Sequence, residues 1–135
     1  MSGRPELAVG GVVVHDGSLL LVRRGHGPAA GEWAVPGGRV EWGETLAEAV
    51  VREVAEETAL ECICGELMAW VELVGDRHHY VVFDFVATVL DHGTPVAGDD
   101  AAEVRWVPLG EVAELNLVDG LAELLHEHGV LDTIA

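Results

Sequence analysis

The chain has 135 residues, and its seven basic residues, all arginine, face 24 acidic ones for a formal charge of −17 at pH 7. That balance excludes a nucleic-acid backbone or an anionic membrane surface as partner, because both require a basic face, yet it admits a small phosphate-bearing ligand that arrives with a cation. Half of the residues are hydrophobic, too many for a disordered chain, and the length suits one domain over residues 1–135.

The first residues, Ser2-Gly3-Arg4-Pro5-Glu6, carry no apolar run of the kind that directs secretion, and no stretch approaches the roughly 18 residues needed to span a bilayer. Leu7 to Val14 and Leu19 to Val22 are apolar and rich in β-branched residues. Between them His15-Asp16-Gly17-Ser18 carries the Asp-Gly signal of a tight hairpin. A glycine- and proline-dense loop is expected from Gly25 to Gly43, including Pro36-Gly37-Gly38.

A helix is predicted from Thr45 to about Thr58. Thr45 and Glu48 form a capping box at its start, and Leu46, Val50 and Val54, with Ala47, Val51 and Thr58 beside them, make the stripe that faces the core. Cys62 to Val74 reads as one bent strand or two. Its C-x-C pair is two small residues in a reducing, cytoplasmic setting rather than a disulfide or a metal site.

Tyr80 to Leu90 alternates cleanly, with Val81, Phe83, Phe85, Ala87 and Val89 on one side and Tyr80, Val82, Asp84, Val86 and Thr88 on the other. A turn follows at Asp91-His92-Gly93-Thr94-Pro95, then a last strand at Val104 to Val107 and a terminal helix from Leu117 to His128. The mixture implies a mixed sheet with helices packed on it, an α/β (α+β) architecture.

Opposite the apolar stripe of the 45–58 helix, Glu53, Glu56 and Glu57 fall at i, i+3 and i+4, so their carboxylates share one patch. Like charges at that spacing cost a helix stability, and the neutralising partner is either Arg52 or a divalent metal. With no cysteine or histidine nearby, an oxygen-seeking cation such as magnesium or manganese fits. A solvated acidic face is the alternative reading of these residues.

The surrounding string decides between them. Gly38, five residues, Glu44, seven residues, then Arg52-Glu53-Val54-Ala55-Glu56-Glu57-Thr58-Ala59-Leu60 resembles the Nudix hydrolase signature G-x5-E-x7-R-E-U-x-E-E-x-G-U, with U aliphatic, at every position but one. Val22-Arg23-Arg24, Gly31-Glu32-Trp33-Ala34-Val35-Pro36-Gly37-Gly38 and Glu103-Val104-Arg105-Trp106-Val107-Pro108-Leu109 are similar to the family's flanking segments, so the resemblance covers about residues 7 to 115. The departure is Ala59, where the family carries glycine. Alanine there costs on the order of 1 kcal/mol if a left-handed helix end is kept, and it removes no ligand atom.

The resemblance implies an α/β/α sandwich with a mixed sheet and helices on both faces. It also implies Mg2+-dependent hydrolysis of the diphosphate bond in a nucleoside diphosphate linked to another moiety, with Mn2+ as a substitute cation. Glu53, Glu56, Glu57 and the Gly38 carbonyl would hold the metal, with Glu53 the immediate ligand and a candidate base. Arg52, together with Glu44, would orient the glutamates. A further acid from outside the helix would come from Asp99, Asp100, Glu103 or Glu41, with Asp100 the first choice. Arg23, Arg24, Arg39 and Arg77 are the cations available to the substrate's anionic groups. Trp33 is a base-stacking candidate that more often packs into the fold, and His78-His79 sits at a strand entrance where substrate loops lie.

ADP-ribose is the preferred substrate, because residues 77–85 and 97–103 look like segments of bacterial Nudix proteins labelled ADP-ribose pyrophosphatases. The alternative is a pyrophosphohydrolase of oxidised nucleoside triphosphates of the 8-oxo-dGTP type. The rival of another class is a catalytically silent nucleotide-sensing domain, against which all three signature glutamates are present. A small-molecule nucleotide is thus the expected partner, with no nucleic acid and no membrane, and a homodimer through Leu67 to Val74 is left open.

Overall fold

The computed structural model describes residues 3–90 and 93–132. Strand β1 (Glu6–His15) and β2 (Ser18–Arg24) form the expected hairpin. Asp16 and Gly17 both adopt positive φ, 49° and 75°, the conformation that a two-residue hairpin turn of this twist requires. The expected Gly25–Gly43 loop contains two short strands, β3 (Trp33–Ala34) and β4 (Gly37–Arg39). Helix α1 (Leu46–Thr58) follows, then β5 (Cys62–Val74), β6 (His79–Val89), β7 (Ala101–Pro108), a short α2 (Leu109–Val112) and α3 (Leu121–Glu127). Among the described residues no helix is long and apolar enough to cross a membrane.

Strand β1 organises the sheet. One edge pairs in parallel with β6, from Glu6 opposite Tyr80 to Val13 opposite Ala87. The other edge is divided: Ala8–Gly10 pair with β4, and Val14–His15 pair with β2. Strand β2 then holds β3 on one side and β7 on the other, while β5 is a single edge strand along β6 with register shifts between Cys64 and Ala69. Cys62 and Cys64 are free thiols, the first buried and the second partly exposed.

Alternation along β1 and β2 sends side chains to two cores. Val9, Val13 and Leu20 meet Ala49, Val50 and Val54 of α1 on one face. Val12, Leu19 and Leu21 meet Val112 of α2 and Leu121 and Leu125 of α3 on the other. The mixed sheet therefore carries helices on both faces, as expected.

Three local expectations change. In α1 the buried residues are Ala49, Val50, Val54 and Thr58, whereas Ala47 and Val51 are exposed, so the stripe is rotated toward Ala49. The terminal helix starts at Leu121 rather than Leu117, because Leu117 bridges to Trp33 and the Trp33 amide donates to the Asn116 carbonyl. The last strand extends to Ala101–Pro108 through its pairing with β2. Of the expected 91–95 turn, Asp91 and His92 lie outside the described residues.

Candidate active site

Helix α1 begins where the sequence places it. Thr45 accepts from the Glu48 amide and the Glu48 carboxylate accepts from the Thr45 amide, so two of the helix's unpaired amides are satisfied. Its end closes on Ala59 in the left-handed conformation, φ 64° and ψ 16°, with the Ala59 amide bonded to the Ala55 carbonyl. The geometry of the family's glycine is thus kept by an alanine.

Arg52 ties the helix to the segment before it. Its Nε and Nη2 donate to both carboxylate oxygens of Glu44, at 2.6 and 2.9 Å, and Nη2 also reaches the Arg39 carbonyl at 2.9 Å. Nη1 donates to Glu53 Oε2 at 2.8 Å and to Glu56 at 3.2 Å. The guanidinium holds the Glu44 carboxyl down at about 2, and the same bonds raise the pKa of Arg52. Glu41 lies at the margin of this network, 3.5 Å from Arg52 Nε. The five-donor fork of arginine suits this work and an ammonium does not.

Glu53 and Glu57, one turn apart, face the Pro36-Gly37-Gly38 segment. The Gly37 amide donates to Glu57 Oε1 at 2.7 Å. A Cβ on Gly38 would fall 2.5 Å from Glu53 Oε2, so only a side-chain-free residue admits the carboxylate there. Burial raises the Glu53 carboxyl, and it pushes Glu57 up to about 7 against the Gly37 hydrogen bond, which favours the charged form. Glu56, half-exposed, shares the Arg52 Nη1 donor with Glu53.

The loop entering β7 closes the far side. The Val96 amide donates to the Thr58 carbonyl and the Gly98 amide to the Glu57 carbonyl, so the loop satisfies the open end of α1. The Gly25 amide donates to the Asp100 carbonyl at 3.2 Å. Arg24 and Asp100 lie close enough to act on the charge of Glu57, one stabilising it and one opposing it. Asp99 is exposed beside Asp100.

The remaining candidates are engaged elsewhere. Arg23 and Arg105 both bind Glu103, and both lie over the buried Trp33 ring, at 6.0 and 4.8 Å. Trp33 thus packs into the fold. Arg39 pairs with Glu6, and Arg77 is exposed in the hairpin between β5 and β6. His78 stacks on Tyr80 at 5.5 Å, while His79 Nε2 is buried with no hydrogen-bond partner among the described residues. Sequence reasoning missed the Gly37–Glu57 bond and the ties from Val96 and Gly98, because backbone donors carry no residue-type signal.

Among the described residues no three histidine, cysteine, aspartate or glutamate side chains are gathered into a finished metal cage. What the chain does present is a convergent pair, Glu53 and Glu57, on a glycine edge. An oxygen-only donor set beside an edge free of side chains fits a hard divalent cation, and nothing in it favours zinc.

The model of the NUDIX domain matches residues 4–128. An ADP-ribose pyrophosphatase of Methanocaldococcus jannaschii is 40% identical over 114 residues, covering 82% of this chain and 66% of the relative. The nucleoside triphosphatase NudI of Salmonella schwarzengrund is 30% identical over 121 residues, covering 78% of this chain and 84% of the relative. The crystal structure of a MutT NUDIX hydrolase from Burkholderia pseudomallei superposes with a TM-score of 0.82 at 29% identity, covering 93% of this chain and 98% of that one. The chain therefore spans about two thirds of the length of the methanogen relative and nearly all of the solved one.

Proposed function

The chain belongs to the Nudix family, and on that premise we propose that it hydrolyses the diphosphate bond of a nucleoside diphosphate linked to another moiety, with divalent metal and with ADP-ribose preferred. The observation that carries this reading is the convergence of Glu53 and Glu57 on the Gly37-Gly38 edge. The relative named ADP-ribose pyrophosphatase supports the substrate.

Glu53, Glu57, Glu56 and the Gly38 carbonyl would hold Mg2+ or Mn2+, which when bound neutralises the diphosphate oxygens and lowers the pKa of the attacking water. The chain's own residues do the rest. Arg52 and Glu44 fix the rotamers of Glu53 and Glu56, so the carboxylates need no reorganisation when an anion arrives. The Gly37 amide holds Glu57 against the strand edge. Burial raises the proton affinity of Glu57 and Glu53 in the metal-free chain, and Glu53 is the candidate base. Asp100, whose carbonyl accepts from the Gly25 amide, is the further acid, and Arg24, which acts on the charge of Glu57, is a cation available to the phosphates. Water adds to one phosphorus, the bridging P–O bond breaks, and ADP-ribose yields AMP and ribose 5-phosphate.

A nucleoside triphosphate of the oxidised type is the second reading, supported by relatives named nucleoside triphosphatase and putative 8-oxo-dGTP diphosphatase. One panel decides: ADP-ribose, 8-oxo-dGTP, NADH and a diadenosine polyphosphate, each with and without Mg2+. Release of AMP from ADP-ribose, fastest in the panel and only with metal, is the expected result. Tight nucleotide binding with no turnover in any metal would instead make the chain a sensing domain. Edge strand β5 carries exposed apolar residues on both faces, Leu67, Trp70, Leu73 and Val74, each about half exposed or more, and this edge is where two copies would pair.

A further inference from the structure

Among the described residues the buried polar side chains are Thr58 and Asp84. Thr58 is satisfied, donating to the Val54 carbonyl at 2.6 Å and accepting from the Leu60 amide at 3.2 Å. Asp84, on β6, is only 8% exposed, and among the described residues its carboxylate has no hydrogen-bond or ion-pair partner. Its neighbours on the same side of β6 make this stand out: Tyr80 and Val82 are half-buried, and Val86 and Thr88 are exposed. On a face that borders solvent, the one buried side chain is an acid. Holding a carboxylate largely out of water without a protein partner is costly, and desolvation duly raises its pKa.

Its position relates it to the site above. In the sheet register Gly37 lies opposite Gly10, Gly10 opposite Asp84, and Asp84 opposite Ala69. Two strand spacings put Asp84 about 10 Å from Gly37, the residue whose amide holds Glu57. The one residue between the acid and Gly37 is Gly10, which has no side chain of its own. The carboxylate leans over Gly10: a Cβ there would collide with Asp84 Oδ1 and come within 3.2 Å of Val35 Cγ2. Gly11, the next residue, faces Val50 and Val54 of α1, so the Asp84 carboxylate occupies the other face of the sheet. Val35 reaches over Gly10 on the same face, and Ala69 is the residue opposite Asp84 on β5.

We propose that Asp84 is a specificity-determining residue that accepts a hydrogen bond from an amino group on the substrate's nucleobase while the diphosphate is held at Glu53 and Glu57. About 10 Å is the reach of one ribose and a base, so a nucleotide anchored at the Gly37 edge brings its base edge to this acid. The inference rests on the diphosphate reading above. An amino-bearing base satisfies the buried carboxylate, whereas the corresponding oxo base sets two acceptors against each other, the arrangement that gives strong discrimination.

The test is calorimetric titration, in Mg2+, of wild type, Asp84→Asn and Asp84→Ala with AMP against IMP and CMP against UMP, pairs that differ by amino for oxo. Wild type should bind the amino member of at least one pair tenfold or more tightly. Asp84→Ala should erase that preference, and Asp84→Asn, whose amide can donate, should move it toward the oxo member. The thermal midpoint of Asp84→Asn should equal or exceed that of wild type. Absence of any preference in wild type, an unchanged preference in the variants, or equal loss for both members of each pair would overturn the proposal, as would a lowered midpoint, which would make Asp84 a structural residue. If the wild-type protein turns over none of the panel substrates, the diphosphate reading fails and takes this inference with it. Turnover with no role for Asp84 in base preference overturns this inference alone.

Discussion

The backbone amide of Gly37 donates to Glu57 Oε1 at 2.7 Å, joining strand β4 to the last turn of α1 across twenty positions of sequence. The bond fixes a buried carboxylate against a strand edge that has no side chains, and it makes the helix and the glycine segment one unit.

Replacing Glu57 with Gln should preserve that contact, since the amide oxygen accepts the same hydrogen bond, while removing the charge. We expect kcat to fall at least about a hundredfold, more than is lost on removing a residue that merely supports a ligand. Circular dichroism should be unchanged. Near-full activity in this variant would refute the assignment of the carboxylate to the site.

Glu57 also sets a pH dependence for the metal-free protein. Its pKa is raised from the ordinary 4.5 to about 7 in the folded state. Between those values the folded chain holds a proton that the unfolded chain has lost, so stability falls as pH rises through this window and levels off above it. The drop amounts to about 3 kcal/mol at full effect. Denaturant melts from pH 4.5 to 8 should show it, and Glu57→Gln should flatten the curve. Added Mg2+ should restore stability at pH 8 by mass action, about 2.7 kcal/mol at a hundred times the dissociation constant.

Arg52→Lys keeps the charge and loses the fork. One ammonium cannot serve both oxygens of Glu44, Glu53, Glu56 and the Arg39 carbonyl. Activity should drop by about 10- to 100-fold through mispositioned glutamates. The loss should be visible in kcat more than in KM, in steady-state assays at saturating metal.

Ala59→Gly should stabilise the protein. Alanine sits at φ 64°, and relieving that strain outweighs the extra freedom glycine gives the unfolded chain. The gain is up to about 1 kcal/mol, or about 4 °C in Tm for a chain of this size. Scanning calorimetry measures it, and activity should not change because no site atom moves.

Much of this was legible in the residues, for identifiable reasons. Asp16-Gly17 and the Thr45–Glu48 box are local chemistry, satisfied within four residues of chain, so they read directly. The Glu53, Glu56, Glu57 spacing gives a shared helix patch, but not the division by which Arg52 claims Glu56 and Gly37 claims Glu57. Strands β3 and β4 are two and three residues long and have no period to detect. They exist because their backbones meet β2 and β1. Leu117–Gly120 has a helical pattern that a tertiary bridge to Trp33 overrides. Asp84 interrupts an otherwise apolar side of its strand, which was a visible signal, but its lack of a partner is a property of the folded molecule alone.

The parallel pairing of β1 with β6 fixes the order in which the protein can assemble. The strand at the centre of the sheet comes before its partner in the chain, so Glu6 waits for Tyr80 and Val13 for Ala87 before that edge is closed. Contacts this distant in sequence are slow to form, whereas the β5–β6 hairpin and α1 need only their neighbours. A nascent chain that stops short of residue 79 therefore exposes a bare apolar strand edge. The carboxylates of α1 and the Gly37-Gly38 edge, by contrast, lie together in the chain's first half, where β1 holds β4 beside them.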